Sequence, residues 1–476
     1  MFNEVENSPG LWRVAGSSLD VEMAGVLMRD VDRGMWQLTT YVELGERGRF
    51  AERGAGPFRL WGTSQAGALT APKAYRVSTR EKLEVSEDGS YLRRAEEVWI
   101  FSEVITGGHF SESQRWSSLK FNLPHMESWF SEIHPPERFD EFNGGEVSAE
   151  YKDYRVSSWW SMSSQMSQNA SSSITMGGFL IEREEGFLLD EVTSIEQALL
   201  SLYIIVFGGP VVVDQLYLLP YSTDDSRLEC QVLRATQATG LIEAFLFPFI
   251  DLADVSFENL IPKWLELHHD APHWPSISSL PGSKSYLQSS FIEAVTAAES
   301  VANFLIDDED EISDIDKSII ENTGEVLNSA ERRRLVHCLG MFRRTLESKL
   351  TGLASLAARS VQRLPIENVA WWAQAVARAR NILVHGLPGA RESEIDPNLL
   401  MDLELSIRVV QKLAMLNAAG YSYTPGEAPD VFGRRRLDSV EFKNRNSLLG
   451  HDIFSVESLL AARVRADGVV SSPLER

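Results

Sequence analysis

The spacing of apolar side chains changes once along the chain, from every second residue to about every third or fourth. From about Gly10 to Phe130, apolar and polar residues alternate, as they do between Trp36 and Val42, and turn residues such as Asp88-Gly89 separate the runs. Alternation of this kind is typical of strands that bury one face. The first part of the chain is therefore predicted to be rich in β-structure.

A stretch dense in Ser, Met, Gln and Trp, from Ser157 to Ser173, interrupts this alternation. We interpret its Trp159-Trp160 pair as an anchor that fixes a polar loop to the core, because buried aromatic side chains contribute a large apolar area. A base-stacking platform is the alternative. The glycine pairs Gly177-Gly178 and Gly208-Gly209 lack the lysine and the strand-loop-helix context of a phosphate loop and are interpreted as turns.

One helix is predicted within this first part. Thr193 and Glu196 have the spacing of a capping box, which predicts a helix from Ile195 to Phe207 that ends at Gly208. A strand over Val211 to Leu218 is predicted to follow it.

Beyond a Pro- and Ser-rich segment, the apolar spacing becomes that of amphipathic helices. Four helices are predicted: one with its apolar face from Phe291 to Leu305, one with a stripe from Leu335 to Leu356, one from about Glu367 to His385, and one from about Pro397 to Ala419. Four neighbouring amphipathic helices are typical of a bundle.

These patterns predict an α+β multidomain protein. Its parts are a β-rich domain over residues 1–275, a linker over 276–284, an all-α four-helix bundle over 285–420 and a C-terminal extension over 421–476.

The formal net charge of −23 is unevenly distributed along the chain. Residues 281–476 hold 23 Lys+Arg and 27 Asp+Glu, a net charge of −4, which leaves 22 and 41, or −19, for residues 1–280. An acidic protein repels polyanions at long range and lacks the counterion release that drives nonspecific binding to nucleic acids. Any activity on RNA would therefore need a local basic site.

The two cysteines, Cys230 and Cys338, are far apart in sequence, which argues against a disulfide framework and against a zinc cluster held by thiolates. The first residues do not have the pattern of a secretory signal. Gly208-Gly209-Pro210 and Asp214 interrupt the most apolar stretch, so no membrane segment is predicted. A cytoplasmic location is expected.

The end of the third predicted helix carries the chemistry. Arg380, Asn381 and His385 form an R-N-x3-H pattern that resembles the signature of HEPN domains, and this resemblance covers roughly residues 285–420. Upstream, Gly10-Leu11-Trp12 and Gly209-Pro210 are similar to the N-terminal domain of ApeA-like antiphage proteins. Together these resemblances imply a HEPN bundle with a metal-independent endoribonuclease site, no cofactor, a homodimer formed through the HEPN domain and a phage-derived trigger that acts on the N-terminal domain.

The residue types suit RNA cleavage without a metal. Imidazole titrates near neutral pH, so His385 can transfer the protons of the reaction, and the guanidinium of Arg380 can stabilise the negative charge of a phosphorane. Asn381 would orient the substrate or the imidazole. This chemistry predicts a 2′,3′-cyclic phosphate and a 5′-hydroxyl on the products, from transfer RNA or another cellular RNA.

Helix geometry leaves an alternative for the arginine. At about 100° per residue, Arg380 and His385 lie about 140° apart, whereas Arg378 shares a face with Asn381 and His385. The family pattern favours Arg380, and an ideal helix favours Arg378.

Three further groups are candidates. Glu299 on the first bundle helix is a candidate for orienting His385, and Arg434, Arg435 and Arg436 for positioning RNA. His268-His269 with His273 could bind a metal, although a solvated loop is the favoured interpretation. A second Arg-to-His match, from Arg332 to His337, is rejected because it lies inside the second predicted helix. The alternative function is a catalytically inactive HEPN scaffold for dimerisation and for binding RNA, a nucleotide or a partner.

Overall fold

The computed structural model describes residues 5–15, 22–30, 33–43, 57–85, 91–124, 126, 147–167, 170–207, 213, 215–221, 229–235, 256–271, 286–306, 345–361, 364, 366, 368–385 and 397–422. The chain divides into two compact units. The β unit comprises Met1–Gln197 and Val211–Ala244, and the helical unit comprises Ala198–Pro210 and Phe245–Arg476. The predicted linker over 276–284 lies outside the described residues, as does nearly all of the C-terminal extension.

Six strands form a closed antiparallel barrel in the β unit. They are β1 (Pro9–Val14), β2 (Met23–Asp30), β3 (Met35–Glu43), β4 (Phe58–Ser64), β5 (Gly67–Val85) and β6 (Tyr91–Phe101). Their spatial order is β4-β1-β2-β3-β6-β5, and pairing of β5 with β4 closes the ring. This result confirms the prediction that the first part of the chain is rich in β-structure.

Three tryptophans lie in the hydrophobic core of the barrel. Trp12, Trp36 and Trp99 are each at most 1% exposed. Trp36 Nε1 donates to the carbonyl oxygen of Leu233 at 3.0 Å, and Trp99 Nε1 donates to Thr40 Oγ1 at 3.3 Å. Buried indoles thus bring a large apolar area while most of their N–H groups find acceptors.

In the part of the chain that the structure describes, the sheet continues from the barrel into seven further strands. They are β7 (Glu103–Thr106), β8 (Trp116–Leu123), β9 (Ser148–Tyr151), β10 (Tyr154–Ser167), β11 (Ala170–Phe187), β12 (Leu216–Pro220) and β13 (Cys230–Arg234). From β5 the order is β7-β13-β12-β8-β11-β10-β9. The strand predicted over Val211 to Leu218 is therefore found as β12, which begins later.

The stretch from Ser157 to Ser173 is a hairpin and not a polar loop, because β10 and β11 pair from Arg155↔Glu182 to Ser167↔Ala170. The interpretation of Gly177-Gly178 as a turn is also wrong, since both glycines lie inside β11. Trp160 is buried, as predicted for a core anchor, whereas Trp159 is only partly buried. Gly208-Gly209 lies outside the described residues.

Helix α1 (Leu189–Phe207) begins six residues earlier than its capping box predicts. Thr193 Oγ1 donates to the carbonyl oxygen of Leu189 inside the helix, and Glu191 accepts the backbone N–H of Leu188 at 2.7 Å. Glu191 therefore caps the helix, and Glu196 is left for a different contact. Its carboxylate binds Arg234 of β13.

Within the described residues, the helical unit contains five further helices. They are α2 (Phe257–Asp270), α3 (Leu287–Leu305), α4 (Leu346–Ala357), α5 (Val369–His385) and α6 (Pro397–Ala418). Helices α3 to α6 all contact one another. The first, third and fourth predicted bundle helices correspond to α3, α5 and α6. Only the part of the second stripe from Leu346 onward is found, as α4, and its residues before 345 lie outside the described residues.

The contacts among α3 to α6 combine apolar packing with a few buried hydrogen bonds. Gln411 Nε2 of α6 donates to the carbonyl oxygen of Ala294 in α3 at 2.7 Å. Ser360, in a single 3-10 turn that follows α4, donates to the carbonyl oxygen of Leu413 at 3.0 Å. These bonds satisfy polar groups that burial would otherwise penalise. Among the described helices, none is long and apolar enough to cross a membrane.

Candidate functional site

Helix α5 positions the motif residues, and its first turns are firmly held. Asn368 precedes the helix and its Oδ1 accepts the backbone N–H of Trp371 at 3.1 Å, which is an N-cap. One turn later, the buried Trp372 donates from Nε1 to Ser406 Oγ of α6 at 2.9 Å. The start of α5 is therefore fixed both along its axis and against its neighbour.

The middle of α5 buries small side chains. Ala373, Ala375, Val376, Ala377 and Ala379 are each at most 6% exposed. These short side chains form the buried face of α5, whereas Gln374 between them is exposed. The polar residues of the motif follow in the last turns of the helix.

At that end the structure brings Arg380 and Asn381 together. Arg380 Nη1 donates to Asn381 Oδ1 at 3.2 Å, and both side chains are partly buried. A guanidinium has five N–H donors in a planar fork, so it can hold an amide and still present donors to a phosphate oxygen. The contact orients the Asn381 amide beside a permanent positive charge.

His385 is the last residue of α5, so the helix ends where the motif ends. It follows Asn381 by about one helical turn, and its side chain lies outside the described residues. Arg378, the alternative arginine, is also partly buried, about two turns before the end of the helix. The described contact with Asn381 is made by Arg380.

Of the other candidate residues, the structure describes Glu299. Glu299 of α3 accepts a hydrogen bond from Lys349 of α4, with 2.7 Å between Oε1 and Nζ. This ion pair links two helices and gives Glu299 a partner other than the motif residues. Arg434, Arg435 and Arg436 lie outside the described residues, as do Arg332 to His337.

The prediction of a solvated loop is wrong for His268 and His269. His268 and His269 lie in the last turn of α2, where His268 is buried and His269 is exposed. Burial, together with the neighbouring His269, lowers the pKa of His268 below its ordinary value. His273 lies outside the described residues. Among the side chains that are described, no three His, Cys, Asp or Glu form a group able to bind a metal ion.

One polar cluster of the helical unit was not anticipated from the sequence. Glu404 and Arg408, one turn apart on α6, form an ion pair at 3.0 Å, and the Ser290 hydroxyl of α3 donates to the same Glu404 oxygen. The sequence did contain a signal for this cluster, because an acidic and a basic residue four positions apart on a helix can form an ion pair. One turn further, burial and then the charge of Arg408 lower the pKa of Lys412 to about 8. The cluster links α3 to α6.

Comparison with known proteins identifies the family of the N-terminal part. Residues 8–264 match ApeA N-terminal domain 1, a span that begins just before β1 and ends within α2. No curated protein and no solved structure matches the chain significantly. Because the matched span is more than half of the 476 residues, the chain belongs to the family defined by ApeA N-terminal domain 1.

Proposed function

We propose that the chain is a metal-independent endoribonuclease of antiphage defence, with its active site at the C-terminal end of α5. Membership of the ApeA family supports the defence role. The ribonuclease assignment goes further and rests on the R-N-x3-H pattern of Arg380, Asn381 and His385. In this proposal, the helices α3 to α6 form a HEPN bundle.

The observation that carries the proposal is the hydrogen bond from Arg380 to Asn381 at the last turns of α5. Two adjacent residues on a helix point about 100° apart, so their side chains do not usually face each other. Here the guanidinium of Arg380 nevertheless donates a hydrogen bond to the amide of Asn381, so the two polar groups lie side by side. Such a pair can bind a phosphate with the charge of Arg380 and direct it with the amide of Asn381.

The proposed reaction removes one proton from the ribose 2′-hydroxyl and delivers one proton to the departing 5′-oxygen. A base takes the proton from the ribose 2′-hydroxyl, whose oxygen attacks the adjacent phosphorus, and the bond from phosphorus to the 5′-oxygen breaks. The departing 5′-oxygen receives a proton, which leaves a 2′,3′-cyclic phosphate and a 5′-hydroxyl. His385 performs the proton transfers, and Arg380 stabilises the extra negative charge of the pentacovalent state.

The substrate is proposed to be transfer RNA or another cellular RNA, and the active form a homodimer through the HEPN bundle. A phage-derived trigger acts on the N-terminal domain. The charge distribution supports this division of labour, since residues 281–476 have a net charge of −4 (23 basic, 27 acidic) and the preceding residues −19 (22 basic, 41 acidic). Phosphates are repelled less by the part that contains the motif.

The first experiment measures cleavage of total and transfer RNA by the purified protein in EDTA. His385→Ala and Arg380→Ala are compared with the wild type and with Arg359→Ala, a matched loss of an exposed arginine in the helical unit. We expect the His385 variant to lose about 10²- to 10⁴-fold in rate and the Arg359 variant to keep full activity. Equal cleavage by the wild type and His385→Ala would place the site elsewhere.

A second experiment distinguishes an enzyme from a catalytically inactive scaffold. The hydrogen bond between Arg380 and Asn381 is compatible with both functions. The same variants are tested for protection of bacteria during phage infection, where any required trigger is present. An enzyme loses protection with Arg380→Ala and with His385→Ala, and RNA with cyclic phosphate ends disappears from infected cells. A scaffold keeps its protection in both variants.

A further inference from the structure

The hairpin of β10 and β11 extends beyond the strands that flank it. We define the arm as residues 161–167 of β10 and 170–176 of β11, which pair with each other from Ser161↔Met176 to Ser167↔Ala170. Strand β9 pairs with β10 only from Tyr154 to Ser157, and β8 pairs with β11 only from Gly177 onward. Within the described residues, no strand pairs with either outer edge of the arm.

An arm of this kind is expected to have a partner. Seven residues per strand span about 23 Å at about 3.3 Å per residue. A two-stranded ribbon alone is only marginally stable in water, and its outer N–H and C=O groups are a template for another strand. Exposed edges are usually protected by lysine, proline or a bulge. The arm has no charged residue and no proline.

The absence of charge extends across the whole hairpin. From Val156 to Ile181 the chain contains no Asp, Glu, Lys, Arg or His, although charged residues make up 24% of the protein. Two copies of a chain with a net charge of −23 repel each other. Strand pairing brings facing side chains to about 5 Å, where like charges are destabilising. A second copy can therefore pair on this uncharged edge without bringing like charges opposite each other.

The sequence of the β10 edge is close to a palindrome. Residues 161–167 read Ser-Met-Ser-Ser-Gln-Met-Ser. If two copies pair antiparallel about Ser164, Met162 faces Met166 and Ser161 faces Ser167. Like residue types then face each other at both outer positions, which is the self-complementarity that a two-fold contact requires. The β11 edge, Ala-Ser-Ser-Ser-Ile-Thr-Met, has no such symmetry.

We propose that the arm is a self-association element, in which the 161–167 edge of β10 pairs antiparallel with the same edge of a second copy of this chain. In this contact, β10 of one copy forms main-chain hydrogen bonds with β10 of the other. Its area is below that of a standard stable interface, so the association is weak and depends on protein concentration. The proposal is independent of ribonuclease activity.

The first test is disulfide cross-linking of the full chain, with wild type giving the background from Cys230 and Cys338. Residue 164 faces its own copy across the axis, so Ser164→Cys is expected to form a cross-linked dimer on oxidation. Ser161→Cys and Ser167→Cys face each other, so neither cross-links alone and a mixture of the two does. Ser113→Cys, in an exposed turn of the same unit, is the control position.

The second test is the mass of the protein in solution over a range of concentrations. Ser163→Lys with Ser164→Lys is expected to reduce association, although it makes the chain less acidic and so weakens the general repulsion between copies. Ser163→Thr with Ser164→Thr keeps the arm neutral and should behave as the wild type. If Ser164→Cys cross-links no more than Ser113→Cys, or if the lysine and threonine variants have equal mass, the proposal is overturned.

Discussion

Gly178 of β11 lies directly across from Trp159 of β10, and on its other side it touches the carbonyl oxygen of Phe121 in β8. A Cβ at position 178 would lie 1.9 Å from that oxygen. The neighbouring Gly177 is the cross-strand partner of Trp160. The absence of a side chain at position 178 thus allows the close approach of β8 and β11. Lys120 Nζ lies 3.9 Å from the centre of the Trp159 ring.

Gly178→Ala is therefore expected to destabilise the β unit. The added methyl group forces β8 and β11 apart, a cost of about 1–3 kcal/mol for an overpacked position. Thermal unfolding followed by tryptophan fluorescence measures the effect. Ser118→Ala, a substitution on the neighbouring strand β8 that removes atoms, is the control and should change the melting temperature much less. A Gly178→Ala protein that melts with the wild type would mean that β8 and β11 have room for a methyl group between them.

The ion cluster around Arg234 is expected to be important for stability. Burial alone would lower the pKa of Arg234, but hydrogen bonds and the charge of Glu196, followed by those of Glu103, raise it above its ordinary value. The Glu196 side chain is 3% exposed. Without Glu196, Arg234 keeps its contact with Glu103 at 3.3 Å but loses both hydrogen bonds to the buried carboxylate. Breaking a buried ion pair on one side is strongly destabilising.

Glu196→Ala should therefore lower the free energy of unfolding by several times more than Asp190→Ala. Asp190 pairs with Lys73 at 2.7 Å, but the two side chains are 73% and 55% exposed. An exposed pair contributes less than about 1 kcal/mol. Urea unfolding of both variants makes the comparison, and similar losses would contradict the buried character of the Glu196 contact.

His268 is expected to make the stability of the helical unit depend on pH. Its folded pKa is lowered by burial, so the unfolded chain takes up a proton near 6.5 that the folded chain resists. Protons then favour the unfolded state, and stability falls as the pH drops through that value. Melting temperatures between about pH 7.5 and 5.5 should decrease in the wild type and less in His268→Gln. The exposed His269→Gln should keep most of the decrease, because burial is the larger cause of the lowered pKa of His268 and the charge of His269 the smaller one. An unchanged slope in His268→Gln would remove His268 as the cause.

Asn381 is expected to contribute to RNA cleavage through Arg380. Hydrogen bonds to charged groups contribute about 1.5–3 kcal/mol, so Asn381→Ala should reduce the cleavage rate roughly 10- to 150-fold. Asn381→Asp keeps the size of the side chain but places a negative charge beside the guanidinium and the phosphate, so its loss should be at least as large. The exposed Gln374→Ala on the same helix is the control. Full activity in Asn381→Ala would restrict the site to Arg380 and His385.

The elements around the candidate site were predictable because their signals are local. The third and fourth bundle helices were predicted over about 367–385 and 397–419, and they are found as Val369–His385 and Pro397–Ala418. An apolar stripe of helical period and a stop signal after it are both contained in one segment. The hydrogen bond between Arg380 and Asn381 joins neighbours in sequence, yet its formation depends on side-chain packing at the end of α5.

The sequence by itself determined the strand-rich first part, the helix-rich second part and the positions of the motif residues, because periodicity, turns and adjacent residues act over a few positions. Only the tertiary structure decided the closure of the barrel, the pairing of two glycines with two tryptophans and the partners of Glu196. Trp36 bonds to a residue 197 positions away, and Arg234 to one 38 positions away. Such contacts form only when separate strands and helices pack, and no local pattern records which of many equivalent partners will meet.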